Sequence, residues 1–167
     1  MSDISIRRAE PCDLSALLDI YNYYVLNTPI TFDIEPRTLA QRQEWLEQFA
    51  PAGRYQCFVA SVGGKAIAWS CSTKFKEREA YATSVETSVY CAPGFTGRGI
   101  GRRLYETLIE ALQGEDIHRA YGGITLPNEA SVGLHVALGF RHIGTQHEVG
   151  RKFGTFWDVA LYERALS

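Results

Sequence analysis

Glycines at positions 94, 97, 99 and 101 lie in one short turn, directly ahead of the basic segment GRRLYETLIEAL. Glycines leave backbone N–H groups unhindered, and at a helix start those groups sit at the positive end of the helix dipole. That combination suits a phosphate or pyrophosphate. Just upstream, Glu86 stands among apolar and hydroxyl side chains in SVETSVYC, where a carboxylate can serve as a general base. Further on, Asn128, Ser131 and His135 recur at i, i+3 and i+7, which puts an amide, a hydroxyl and an imidazole on one helical face. An imidazole titrates near neutral pH and can act as an acid or a proton relay. An anion cradle, a base and a titratable ring together describe an active site.

Two familiar phosphate-binding motifs do not fit the glycines. A Walker loop requires Lys-Ser/Thr after the last glycine, and Gly101 is followed by Arg102 and Arg103. The dinucleotide fingerprint GxGxxG, read from Gly97, requires a third glycine where Arg102 stands, and it belongs in a first βαβ unit. Here the turn comes in mid-chain.

The bulk composition sets the outer limits. At 167 residues the chain is read as one domain, 1–167, large enough to bury a core. With 46% hydrophobic and 22% charged residues it has the balance of a globular protein, and a net charge of −2 gives no support for nucleic-acid or membrane-surface binding. No apolar run approaches a membrane span and the opening MSDISIRRAEPCD has no signal-like core, so the expected location is cytoplasmic. Cys12, Cys57, Cys71 and Cys91 form no CxxC pair, so we expect four buried thiols and neither a disulfide nor a metal site.

The site residues need elements to hold them. ISIRR at 4–8 alternates as a first strand, and a helix follows Pro11 with Leu14, Leu17, Leu18, Tyr21 and Val25 on one stripe. NTPITFDIEP is a proline-broken loop, followed by a helix over 38–49 with Leu39, Trp45, Leu46 and Phe49. QCFVASV and KAIAWSCSTKF form a hairpin across Gly63-Gly64. In SVETSVYC, Val85, Thr87, Val89 and Cys91 share one face, and Glu86, Ser88 and Tyr90 the other. The helix after the glycines carries Ile100, Leu104, Leu108 and Leu112. AYGGIT is a fifth strand, and EASVGLHVALGF a short helix with Ala130, Leu134, Ala137 and Leu138 inward, stopped by Gly139. The remainder reads as a closing hairpin. The order βααβββαβαββ denotes a mixed α/β or α+β fold.

Thr96-Gly97-Arg98-Gly99-Ile100-Gly101 resembles the pyrophosphate turn of the GNAT acetyltransferases, Gln/Arg-x-x-Gly-x-Gly/Ala, with Thr96 departing from the usual first residue. The segments FKEREAY, VETSVYC, LPNEASVGLHVALGF, VGRKFGTFWDVALYER and YNYYVLNTPITFDIEPRT are similar to the phosphinothricin acetyltransferase branch, which includes methionine sulfoximine and methionine sulfone acetyltransferases. The resemblance covers nearly the whole chain. It implies a mostly antiparallel mixed sheet of about seven strands flanked by about four helices, and direct acetyl transfer from acetyl-CoA to an amine, without metal.

Placed residue by residue, the resemblance implies that Val89, Tyr90 and Cys91 follow the pantetheine arm. Gly97, Arg98, Gly99, Ile100, Gly101 and Arg102 would hold the pyrophosphate, with Asn128 and Ser131 also at the cofactor. Glu86 matches the family's carboxylate base. His135 stands where many members have a tyrosine that protonates the departing thiolate. Lys76, Arg78, Tyr81 and Thr87 fall where the branch binds its acceptor, with Phe32 and Glu35 in a covering loop. Phe75-Lys76 replaces a Trp-Arg pair found in relatives. The expected partners are a small amine acceptor and a second copy of the chain, through Phe153, Phe156 and Trp157 unless those aromatics are core. A peptide N-terminal acetyltransferase and a non-catalytic CoA-binding module are the alternatives.

Overall fold

A computed structural model describes residues 3–167. Its strands are β1 (Ser5–Arg8), β2 (Cys57–Val62), β3 (Lys65–Lys74), β4 (Ser84–Cys91), β5 (Arg119–Thr125), β6 (Arg141–Lys152) and β7 (Thr155–Ala165). Four helices, α1 (Leu14–Asn27), α2 (Leu39–Glu47), α3 (Ile100–Leu112) and α4 (Glu129–Ala137), complete the order expected from the sequence. The strands form one seven-stranded sheet in the order β1-β2-β3-β4-β5-β7-β6, antiparallel except where β4 meets β5. Gly63 and Gly64 both take positive φ at the β2–β3 turn, the backbone that a two-residue hairpin requires. Among the described residues no helix is long and apolar enough to cross a membrane.

Helices cover both faces of the sheet. On one face α3 buries Ile100, Leu104, Tyr105, Leu108 and Leu112 against Val85, Ala120, Ile124 and Phe140. Its apolar and charged residues segregate at helical spacing, so burial of the stripe holds it there. On the other face α1 and α2 pack Leu17, Ile20, Trp45 and Leu46 over Cys57, Val59, Trp69 and Cys71. Arg7 of β1 clamps the start of α1 through two hydrogen bonds to Asp13, at 2.7 and 2.8 Å.

The parallel pairing of β4 with β5 is short. It runs from Ser84↔Arg119 to Glu86↔Tyr121 and then ends. Beyond that point β5 continues beside β7, while β4 continues beside β3 to Cys91. The two strands therefore diverge, leaving a gap in the sheet.

Two sequence expectations need correction. In α4, Ala130 and Ala137 are exposed, Leu134 is half-buried, and the buried positions at its end are His135 and Leu138. Small alanines gain little from burial, so packing of the imidazole and Leu138 sets the rotation of the helix. Among the cysteines, Cys57 and Cys71 are buried free thiols, Cys91 is partly exposed and Cys12 is exposed at the start of the first helical turn.

Candidate active site

Backbone alternation decides what the gap offers. The Ser72 N–H bonds to the carbonyl of Gln56, just ahead of β2, so its β4 partner Thr87 turns its backbone groups away from β3. Ala92 N–H bonds to Ile67, and the same alternation directs the backbone of Val89 and Cys91 into the gap and that of Tyr90 toward β3. One of these groups is occupied, because the Tyr24 hydroxyl donates to the Cys91 carbonyl at 2.6 Å. The Val89 N–H and C=O and the Cys91 N–H face the gap with no β-strand to pair them. Buried backbone groups must find partners, and an extended amide-bearing chain laid along β4 would supply them. Tyr90 contributes its ring instead, stacked on Trp69 at 4.7 Å between centroids.

The gap continues into the glycine turn. Gly94, Gly97 and Gly99 all have positive φ, and Gly99 caps α3 in the left-handed conformation. A β-carbon on Gly101 would lie 3.5 Å from Cys91 Sγ and 3.7 Å from Val89 Cγ2, so this glycine lets the helix start approach β4. The N–H groups of Ile100, Gly101 and Arg102 fall in the first turn, where no intrahelical acceptor exists. Arg98 and Arg102 are exposed beside them, Arg102 also pairing with Glu106.

Opposite β4, α4 begins at Asn128, whose side-chain oxygen accepts from the Ser131 N–H at 3.1 Å, leaving its NH2 free to donate. A cavity of about 260 Å³ lies between these walls, lined by Glu86, Val89, Asn128, Ser131 and His135, with Phe32 of the α1–α2 loop across it. Glu86 reaches solvent through the open cleft, yet protein crowds it enough that burial raises its carboxyl above the usual range. It takes part in no ion pair among the described residues, so neither Lys76 nor Arg78 neutralises it.

His135 is held more tightly than sequence spacing could show. Its Nδ1 lies 2.8 Å from the Ser131 carbonyl oxygen, which can only accept, so Nδ1 carries the proton. Its Nε2 lies 3.2 Å from the Tyr105 hydroxyl, which therefore donates, and Tyr105 in turn bonds to Thr87 Oγ1. Burial lowers the His135 pKa and the Ser131 carbonyl opposes this in part, leaving the ring neutral at pH 7. Gly122 makes room for it, since a β-carbon there would fall 2.7 Å from Nε2.

The other residues singled out in the sequence scatter. Thr87 is the exception: it lines the same cavity as Glu86, buried and bonded to Tyr105. Lys76, Arg78 and Tyr81 line a separate recess with Glu77, and Glu35 is exposed on the loop. His118, His142 and His147 are exposed and stand apart from the cavity. The sequence reading missed Tyr105, hidden beside the leucine stripe of α3. It also missed Gly122 and Gly150, at the second of which a β-carbon would collide with the Phe32 ring. Glycines inside strands are a signal for close approach that could have found the last two.

Residues 17–140 match the acetyltransferase (GNAT) family model. The chain belongs to the GNAT family. It is 51% identical to the phosphinothricin N-acetyltransferase of Streptomyces coelicolor, covering 99% of this chain and 98% of the relative. It is 36% identical to the L-methionine sulfoximine/L-methionine sulfone acetyltransferase of Pseudomonas paraeruginosa, over 97% of this chain and 94% of that one. A solved GNAT phosphinothricin acetyltransferase from Sinorhizobium meliloti, in complex with acetyl-CoA, superposes with a TM-score of 0.93 at 29% identity, covering 100% of this chain and 90% of that one. This GNAT chain is an acetyl-CoA-dependent N-acetyltransferase of the phosphinothricin and methionine sulfoximine branch. The unpaired β4 groups, the open first turn of α3 and the donor amide of Asn128 fit a pantetheine arm ending in a pyrophosphate.

Proposed function

We propose that the enzyme acetylates the amino group of a small amino-acid-like acceptor of the phosphinothricin, methionine sulfoximine or methionine sulfone type. Glu86 carries this reading. It is an unpaired carboxyl with a raised pKa, placed on the strand whose far end offers Val89 and Cys91. Acetyl-CoA supplies a thioester whose carbonyl an amine can attack. An alkylammonium has a pKa of roughly 10, so at pH 7 the amine must first lose a proton. Glu86 takes it, directly or through one water, and its raised pKa brings it closer to the working pH of a general base. Gly97, Arg98, Gly99, Ile100, Gly101 and Arg102 hold the pyrophosphate, and Val89, Cys91, Asn128 and Ser131 hold the pantetheine arm, with Tyr90 packing behind it.

For His135 we favour a positioning role over direct acid catalysis. Its one proton is given to Ser131, and Nε2 is an acceptor, so the neutral ring has nothing left to donate into the cavity. Through Tyr105 it ties α4 to α3 and β4, fixing the width of the gap. The homodimer implied by the resemblance finds support in Phe153 and Phe156, which are 57% and 56% exposed rather than core, while Trp157 is half-buried. We also assign a cytoplasmic location, in keeping with the free thiols, and a role in resistance to toxic amino-acid analogues.

The α1–α2 loop favours a small acceptor over a peptide. Phe32 packs on Gly150, and the buried Lys152 donates to the Thr31 carbonyl at 2.8 Å, so the β6–β7 hairpin fastens this loop over the cavity. A thiol-release assay with acetyl-CoA should be run against phosphinothricin, methionine sulfoximine, methionine sulfone, a polyamine and a ribosomal-type peptide. Turnover of the amino-acid analogues supports the proposal; turnover of the peptide alone overturns it.

A further inference from the structure

A second cavity, of about 400 Å³, opens on the α1–α2 face of the sheet and shares Glu86, Ser88 and Tyr90 with the first. Arg42 of α2 lines it and is only 3% exposed. Its guanidinium carbon lies 3.4 Å from the Trp45 ring centroid, 4.6 Å from that of Trp69 and 4.9 Å from that of Tyr21. Aromatic faces attract a desolvated cation, but they supply no acceptors for its in-plane N–H groups. Nε and Nη2 of Arg42 are buried without a hydrogen-bond partner, and so is Nε1 of the neighbouring Trp69.

No carboxylate pairs with Arg42 among the described residues. Asp33, the nearby candidate in the same cavity, is committed to Arg37 at 2.7 and 3.0 Å and to the Tyr21 hydroxyl. Glu86 forms no ion pair either. Burial lowers the Arg42 pKa to about 10, which still leaves the group charged at neutral pH. A buried charge without a counter-ion is costly to maintain, and each buried donor left without an acceptor adds to that cost. The arrangement is therefore short of an anion, in the same cavity that Glu86 lines.

We propose that Arg42 is the oxyanion receptor of the acceptor site, its aromatic clamp presenting the guanidinium edge to an anionic group of the molecule whose amine sits at Glu86. This deepens the proposed function and rests on it. The anion is either the acceptor's α-carboxylate or a side-chain oxyanion such as a phosphinate. The clamp fixes the plane of the guanidinium, which lysine cannot imitate, since an ammonium is a point charge without the fork.

The test compares wild type with Arg42→Met, which keeps a long apolar stem between the rings, and with Arg42→Lys. KM is measured for phosphinothricin, methionine sulfone and the carboxamide of methionine sulfone, together with KM for acetyl-CoA and the melting temperature. Hydrogen bonds to a charged group are worth about 1.5–3 kcal/mol, so Arg42→Met should raise KM roughly 10–100-fold for acceptors bearing the recognised anion. Acetyl-CoA KM should not change, and Arg42→Lys should recover part of the loss. Recognition of the carboxylate predicts large effects on both acids and little on the carboxamide. Recognition of the phosphinate predicts a large effect on phosphinothricin alone.

Equal losses on all three acceptors, or no loss on any, would overturn the proposal. Should Arg42→Met fail to fold, the wild type still decides: equal KM values for the three acceptors would refute an oxyanion receptor. Wild-type enzyme inactive on all three would instead defeat the small-acceptor reading, and the receptor with it.

Discussion

Replacement of Gly122 by alanine tests the His135 clamp with one methyl group. The φ of Gly122 is not positive, so alanine meets no backbone penalty there. The new β-carbon would sit 2.7 Å from His135 Nε2 and 3.0 Å from Cδ2, well inside the ~3.5 Å of an ordinary van der Waals contact. The ring would have to retreat by roughly 0.8 Å to reach ordinary contact, yet Nδ1 is bonded to Ser131 and Nε2 to Tyr105. Overpacking of this kind costs about 1–3 kcal/mol. Loss of the buried Tyr105 bond adds about 1–3 kcal/mol, because Tyr105 is 0% exposed and has no water to turn to. The total, about 2–6 kcal/mol, corresponds to a fall in melting temperature of about 4–24 °C for a chain of this size. Thermal denaturation should be measured for Gly122→Ala, His135→Ala and the double variant. With the ring removed the methyl has space, so Gly122→Ala should cost little in the His135→Ala background. An equal cost in both backgrounds would refute the clamp.

Glu86→Gln should lower kcat by ~10²–10⁴-fold while leaving acetyl-CoA KM nearly unchanged; an unchanged rate across pH would remove Glu86 from the base role. Because burial raises the Glu86 pKa, the fold favours its protonated form, and its contribution to stability is lost as pH rises through the folded-state pKa. Glu86→Gln should accordingly melt higher than wild type at pH 7 and equally at pH 4, and a lower melting temperature at pH 7 would contradict the desolvated carboxyl. Gly99→Val forces a β-branched residue to a φ of +74°, and Gly101→Val drives methyls into Cys91 and Val89. Both should weaken acetyl-CoA binding at least tenfold by calorimetry, strain of this sort being worth about 1–3 kcal/mol; intact affinity would contradict the cradle. Gly150→Ala should eject the Phe32 ring, which is already 37% exposed, raising acceptor KM several-fold and hydrogen exchange across residues 28–38. Exchange unchanged from wild type would show that the hairpin does not fasten the loop.

Elements with a periodic apolar pattern were legible before any coordinates. The α3 stripe, the Gly63-Gly64 hairpin and the two faces of β4 all follow from burial and turn chemistry acting over a few neighbouring residues. What the sequence could not show is set by distant partners. The gap exists because β4 and β5 stop pairing after Glu86 and Tyr121, and no local pattern records where a parallel pairing stops. His135 was visible as a titratable residue, but its tautomer depends on Ser131 and Tyr105 meeting it from different helices. Ala130 and Ala137 matched an apolar template and yet face solvent, since alanine is too small to dictate a helix rotation. Arg42 was invisible for the opposite reason: a cation in a polar helix reads as solvated until Trp45, Trp69 and Tyr21 are seen to enclose it.

In the proposed reaction an acetyl group passes directly from acetyl-CoA to a small amine at Glu86. The most direct measurement incubates the wild-type enzyme with deuterium-labelled acetyl-CoA and methionine sulfone, then weighs both the small-molecule product and the intact protein by mass spectrometry. Direct transfer puts the label on the amine nitrogen of the acceptor, leaves the protein unlabelled at every time point, and loses the product peak in Glu86→Gln. Label found on the protein, or released only as acetate with the acceptor unmodified, would contradict it.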